Sequence, residues 1–292
     1  MQKTISKTKA DIGLLSVTVF WGTTFIISKI ALTEISLLNY LAIRLTLAAL
    51  VMNLIAFRYR KQLNKKTIRD GMVIGVFLFF SYFFQMWGIQ YTSASNAGFI
   101  TGVHVALVPI FSVIFFKDKP QISSVVGVIL AFAGLFLLSG GSISKLNIGD
   151  FLVFICAIAV TFHVIFTGKY APNNNIYLLT AVQLSTTAVL SIIFVLFSSN
   201  LFVELTLNIF AVLAYLALFG TVFTFLMQTA MQRFTTATRT ALVFAMEPVF
   251  AALFAFLIAG ETLTALGWAG GLLILAGMTV AEVNWKVLFK TK

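Results

Sequence analysis

His104 and Glu247 stand 143 positions apart, and each ionisable side chain lies in the middle of a long apolar run. Groups of that kind are costly in an apolar solvent, so those that persist are the first candidates for a substrate or ion path. The same spacing carries Gln85 onto Gln228, and Phe80-Ser81-Tyr82-Phe83-Phe84-Gln85 onto Phe223-Thr224-Phe225-Leu226-Met227-Gln228. An imidazole on one wall and a carboxylate on the other could bind a zwitterion, or take up and release a proton. The structural alternative has His104 donating to a backbone carbonyl and a protonated Glu247 bonded to a carbonyl freed by Pro248. His163 falls opposite Thr24 at a spacing of 139, either lining the same space or packing. Arg44, opposite Gln183, reads as an ion pair or carbonyl clamp, with anion recognition as the other reading. Trp21, Tyr82, Trp87 and Tyr91 add aromatic faces suited to an amino acid or a planar heterocycle. The binding candidates are therefore His104, Glu247, Gln85, Gln228, Tyr82, Trp21, His163 and Arg44. Pro109 and Pro248 interrupt main-chain bonding and are expected to bend their helices as hinges.

Side chains so placed need elements that cross a bilayer. Of the 292 residues, 60% are hydrophobic and 10% charged, with a mean hydropathy of +1.02. A soluble fold of this length could not cover so much apolar surface. A spanning helix takes about 20 apolar residues, and ten runs approach that length: 12–32, 37–57, 71–91, 94–116, 122–140, 149–169, 176–198, 208–230, 239–259 and 263–284. They are continuously apolar rather than alternating, which favours helices over β-barrel strands.

The ten runs fall into two copies. A spacing of 143 also carries Thr92 onto Thr235, Asp118 onto Glu261, and Gly127, Ala133 and Gly134 onto Gly270, Ala276 and Gly277. A spacing of 139 pairs Asp11 with Asp150, so the difference belongs in the loop between the second and third spans. The units are 11–140 and 149–284, and five spans per unit invert the second copy. The expected fold is an all-α integral membrane protein of ten transmembrane helices, arranged as two inverted five-helix repeats. Inverted repeats characterise secondary transporters, whose halves exchange conformations around a central site. Small residues at Gly71 and Gly75, Gly98 and Gly102, and Gly267 and Gly271 are spaced for close helix packing.

The net charge of +11 is unevenly spread. Lys3, Lys7, Lys9, the 58–69 cluster, Arg233, Arg239 and Lys286 fall on one side, and Glu34, Asp150, Glu204 and Glu261 on the other. Both termini are thus expected in the cytoplasm. The 58–69 stretch holds no aromatic but Tyr59 and adjoins a membrane exit, which favours anionic lipid over nucleic acid. The first run follows three lysines but is too long for a signal peptide and lacks a cleavage site. Cys156, the single cysteine, excludes a disulfide framework and reads as a packing residue.

Trp21-Gly22-Thr23-Thr24-Phe25, Arg44-Leu45, Glu247-Pro248-Val249-Phe250 and Gly260-Glu261-Thr262-Leu263-Thr264, with Gly102 and Pro109, resemble the EamA family of the drug/metabolite transporter superfamily over essentially the whole chain. The resemblance implies two inverted five-helix repeats, a central cavity, and export of amino acids or other small metabolites from bacteria. It does not fix the substrate. The first copy departs in having Lys117-Asp118-Lys119-Pro120 where the second has the more family-like Ala259-Gly260-Glu261-Thr262, so the halves are not expected to move identically.

The expected activity is a permease for a small polar metabolite such as an amino acid, acting as an exporter across the bacterial inner membrane. The expected partners are that solute, membrane lipid and, in one reading, protons; a monomer is compatible with this. The alternatives are a membrane receptor or scaffold, and an intramembrane enzyme. The enzyme reading lacks a His-Glu-x-x-His, a Gly-x-Ser-x-Gly or a Gly-x-x-x-x-Gly-Lys motif, and no cofactor or metal is expected.

Overall fold

The computed structural model describes residues 6–92, 94–116, 122–138, 147–197, 205–259 and 264–282. Lys3, Asp118, Glu204, Glu261, Lys286 and the segments 117–121 and 260–263 lie outside the described residues. Among the described residues the chain is helical, without strands: α1 (Lys7–Glu34), α2 (Leu37–Ala56), α3 (Lys65–Gly88), α4 (Ala94–Gly102), α5 (His104–Phe116), α6 (Ile122–Leu138), α7 (Ile148–Tyr170), α8 (Ile176–Leu196), α9 (Leu207–Ala217), α10 (Thr224–Met231), α11 (Ala237–Phe244), α12 (Glu247–Ala259) and α13 (Ala265–Glu282). Seven stretches are long and apolar enough to cross a membrane, and three shorter apolar helices accompany them: Ile100–Phe115, Val125–Gly134 and Ala265–Gly277.

Most helix starts are written in the sequence as side-chain caps. Ser6, Asn64, Asn175, Thr206 and Thr236 each accept a backbone N–H from the first turn of the helix that follows. Asn147 and Asp150 form a reciprocal capping box on α7. That helix passes after Tyr170 into a 3-10 turn, Ala171–Asn173, where Pro172 has no N–H to continue the α-helical ladder.

The outer surface is apolar, unlike that of a soluble protein, while the interior combines apolar side chains with buried polar ones. Leu54, Ile129, Leu257 and Leu272 point outward, whereas Thr180, Gln183, Thr187, Thr221, Thr224 and Gln228 are fully buried. Outward leucines suit acyl chains, and most of the buried polar groups find partners within the protein. Ser191 donates to the Thr187 carbonyl, and Thr187 donates across helices to the Gly75 carbonyl.

Glycine decides how closely the helices approach. A Cβ on Gly75 would come within 2.6 Å of the Gln183 carbonyl oxygen, so α3 and α8 approach backbone to backbone there. The helices α6 and α13 cross as an antiparallel pair: a Cβ on Gly134 would lie 2.6 Å from the Gly270 carbonyl oxygen, and one on Gly277 would lie 2.6 Å from that of Gly127. Gly22 faces the backbone of Phe250 and Ala251 and lets α1 pack on α12. Gly98 and Gly271 have only ordinary contacts, so their motifs do not mark equally tight crossings.

Two polar contacts tie helix ends together at opposite ends of the bundle. Arg239 of α11 grips Asp11 of α1 through Nε and Nη2, with Nε 3.0 Å from Oδ2. At the other end, Thr92, beyond α3, donates to Asp150 Oδ1 at 2.6 Å. Asp11 and Asp150 are counterparts in the two copies, as are Thr235 and Thr92. The Thr235 hydroxyl is buried with no partner, since Asp11 turns instead to Arg239.

Candidate substrate-binding cavity

The fourth and ninth apolar runs are each broken in the middle. Between α4 and α5 the chain tightens at Val103, whose N–H bonds the Ile100 carbonyl and whose own carbonyl receives the Ala106 N–H. The Thr101 carbonyl, which would receive the Val105 N–H in a regular helix, lies 2.8 Å from Nδ1 of His104. Between α11 and α12 the break covers Ala245 and Met246, where Met246 N–H bonds the Val243 carbonyl. Pro248 has no N–H to offer the Phe244 carbonyl, so the helical ladder stops there. His104 and Glu247 are the first residues after these breaks, at matching positions of the two copies.

The sequence placed bends at Pro109 and Pro248. Pro248 does lie at the second break, as the second residue of α12. Pro109 lies inside α5, and the interruption of its span comes six residues earlier, at Val103. The local cause there is the competition of His104 for a backbone carbonyl.

Both His104 and Glu247 line a cavity of about 50 Å³, together with Trp21 and Thr24 of α1, Leu78, Ser81, Tyr82 and Gln85 of α3, Thr101 of α4, Cys156, Val160, His163 and Val164 of α7, and Phe225 of α10. That volume holds a few water molecules. Its wall is partly aromatic: the Phe225 ring lies 5.5 Å from that of Trp21, 6.0 Å from Tyr82 and 5.4 Å from His163, centroid to centroid.

Hydrogen bonding orients the imidazoles. A carbonyl can only accept, so His104 carries its proton on Nδ1, and its Nε2 is buried without a partner. His163 Nε2 lies 3.2 Å from Gln183 Oε1, and Gln183 Nε2 in turn donates to Thr229. The second-copy counterpart of Arg44 thus positions a cavity imidazole. Glu247 is 9% exposed, and the ion pairs found among the described residues, Arg69–Asp70 and Arg239–Asp11, leave it out.

Arg44 and Gln228 do not line the cavity. Arg44 is 1% exposed and its fork is engaged on all three nitrogens: Nη1 donates to Tyr40 at 2.6 Å, Nη2 to Tyr82 and the Gly220 carbonyl, and Nε to Thr221. Gly220 and Thr221 belong to a π-helical turn, Leu218–Phe223, which joins α9 to α10. Arg44 is therefore a clamp across α2, α3 and this turn, and not an ion-pair member. Gln228 is fully buried and donates to Gln232 Oε1. The sequence reading passed over Phe225, Thr101, Ser81 and Cys156 as wall residues. Phe225 carried a signal, being the counterpart of Tyr82; the others have no pattern apart from their distance along the helix.

The profile of the EamA-like transporter family matches this chain twice, over residues 8–140 and 147–282. The chain belongs to the EamA-like transporter family. An uncharacterized transporter of Archaeoglobus fulgidus is 33% identical to this family member over 280 residues, covering 96% of this chain and 88% of the relative. The uncharacterized transporters YyaM and YoaV of Bacillus subtilis are 26% and 23% identical, covering 93% and 92% of this chain and 92% and 95% of their own lengths. A protein of known crystal structure shares the fold with a TM-score of 0.79 at 16% identity, over 98% of this chain and all of that one. Family and apolar helices together make this a multi-pass membrane protein of transporter type.

Proposed function

We propose that this EamA-family protein is a secondary transporter that moves a small polar metabolite, such as an amino acid, by alternating access. The observation that carries the reading is the cavity: residues from both family-matched stretches close around it, and the ionisable pair His104 and Glu247 enters at corresponding helix breaks. Broken helices meeting between repeats are a common way for carriers to build a site.

In this reading the seven long stretches and three shorter apolar helices are ten spans, in repeats 11–140 and 149–284 of opposite orientation. One exchange-symmetric contact and one pair of related end contacts support it. The antiparallel crossing of α6 and α13 maps onto itself when the copies are swapped, since Gly134 on Gly270 becomes Gly277 on Gly127. The end contacts Asp11–Arg239 and Asp150–Thr92 also occupy related sites at opposite ends. Parting one end while holding the other would open the cavity to one side at a time, as its small volume requires for a solute of amino-acid size. The basic cluster 58–69 favours cytoplasmic N- and C-termini, and the family resemblance favours export from a bacterial cytoplasmic membrane. Protons are the proposed coupling ion, exchanged at Glu247.

Reconstitution into liposomes with a panel of labelled amino acids and metabolites, with and without an imposed pH gradient, tests this. Solute flux that responds to the gradient supports the carrier. No flux under any gradient sinks it in favour of a receptor.

A further inference from the structure

We propose that the cavity recognises the ammonium pole of its solute, so that the substrate is an amine-bearing molecule and a carboxylate on it adds little. This rests on the reading of the cavity as the transport site. The preference follows from a count of donors and acceptors on the side chains that line the cavity.

The hydrogen-bond donors of the wall are largely engaged by the protein itself. Thr24 donates to the Trp21 carbonyl, Ser81 to that of Leu78, and Tyr82 lies within bonding distance of the Gly220 carbonyl. Gln85 Nε2 donates to Thr101 Oγ1, His104 Nδ1 to the Thr101 carbonyl, and His163 Nε2 to Gln183. The donors left include the Trp21 indole, the Thr101 hydroxyl, the Cys156 thiol and one amide hydrogen of Gln85, all of them neutral. On the acceptor side are the Glu247 carboxylate, His104 Nε2 with no partner, and the Gln85 amide oxygen. A wall rich in unmatched acceptors calls for a ligand rich in donors.

Charge points the same way. Among the described residues, Glu247 is the only acidic side chain of the lining, and no lysine or arginine belongs to it. Arg44, which bonds the lining residue Tyr82, does not itself line the cavity and is bonded to four protein groups. A buried carboxylate without a cation is costly, and an ammonium entering the cavity would supply one. The faces of Trp21, Tyr82 and Phe225 would add attraction to a cation lying against them. A solute carboxylate would meet the Glu247 charge and no compensating base.

The test uses four compact probes of nearly the same carbon skeleton: isobutylamine, valine, isobutyrate and isobutanol. Each is titrated calorimetrically into the purified full-length protein in lipid nanodiscs, and the flux of labelled isobutylamine is measured separately in liposomes. Isobutylamine should bind at least about tenfold tighter than isobutyrate or isobutanol, and valine no tighter than isobutylamine. Glu247→Gln should weaken isobutylamine at least about tenfold while leaving isobutanol and the melting temperature unchanged. His104→Leu should weaken it about fivefold, and His104→Gln, which keeps an acceptor, should restore part of that. Isobutyrate binding as tightly as isobutylamine, valine binding far tighter than isobutylamine, or no isobutylamine binding at all overturns the proposal. Amine binding without flux leaves recognition standing and rejects the carrier; flux of carboxylates without amine binding does the reverse.

Discussion

Glu247 and His104 each follow a helix break by one position, and in each case the side chain meets the cavity because the break turns it there. If Glu247 exchanges protons with the solute, Glu247→Gln should reduce flux and flatten its dependence on pH, as measured in proteoliposomes. Unchanged rate and unchanged pH profile would remove the residue from the mechanism. Arg44 calls for a different outcome. Its fork holds Tyr40, Tyr82, Gly220 and Thr221 at once, so Arg44→Lys keeps the charge but loses the planar geometry. The protein should lose about 1–3 kcal/mol of stability, read as a lower thermal midpoint in detergent, with buried acceptors left unpaired. The pair His104 and Glu247 was legible in the sequence through their shared spacing. The placing of Gln228 was not: Gln232, one turn on, captures it, whereas the counterpart of Gln232 is Ile89, which leaves Gln85 free to face the cavity.

At the scale of elements, the apolar runs predicted the helices but not where they stop. The runs 94–116 and 239–259 read as continuous, and both are interrupted, because the deciding contacts are a histidine reaching back to a carbonyl and a proline freeing one. The π-helical turn Leu218–Phe223 also had no sequence signal; it forms where the Arg44 fork meets the Gly220 carbonyl. Glycine spacing marked the close approach of α3 at Gly71 and Gly75 but could not rank the crossings, and for α13 it pointed to Gly271 where Gly270 and Gly277 make the close contacts. The structure ranks them. Gly134→Val places a side chain 2.6 Å from the Gly270 carbonyl oxygen and should destabilise by about 1–3 kcal/mol, whereas Gly271→Ala, with its nearest neighbours at 3.8 Å, should cost little. Thermal unfolding of the two variants side by side checks this; equal midpoints would contradict the packing described for α6 and α13. Replacing Pro248 with Ala should return a donor to the Phe244 carbonyl, straighten the ninth span and slow flux more than it lowers membrane insertion.

At the scale of the molecule, two unequal contacts hold the ends: a charged fork between Asp11 and Arg239, and a single hydroxyl bond between Thr92 and Asp150. Charge-assisted forks are stronger than single neutral donors. Arg239→Gln should therefore favour opening at the Asp11 end, while Thr92→Val should favour the opposite end, each shown by the side from which the cavity admits reagent. The continuously apolar runs made the all-helical membrane character legible, but not the inequality of the two end contacts, where Arg239 has Asn96 as its counterpart in the sequence. Cys156 supplies the most direct measurement, since it is the single cysteine and lines the cavity. A membrane-impermeant thiol reagent, applied separately to each face of proteoliposomes with Cys156→Ala as control, should label Cys156 from both faces, and a bound solute should protect it from both. Labelling confined to one face under all gradients would contradict alternating access to this cavity.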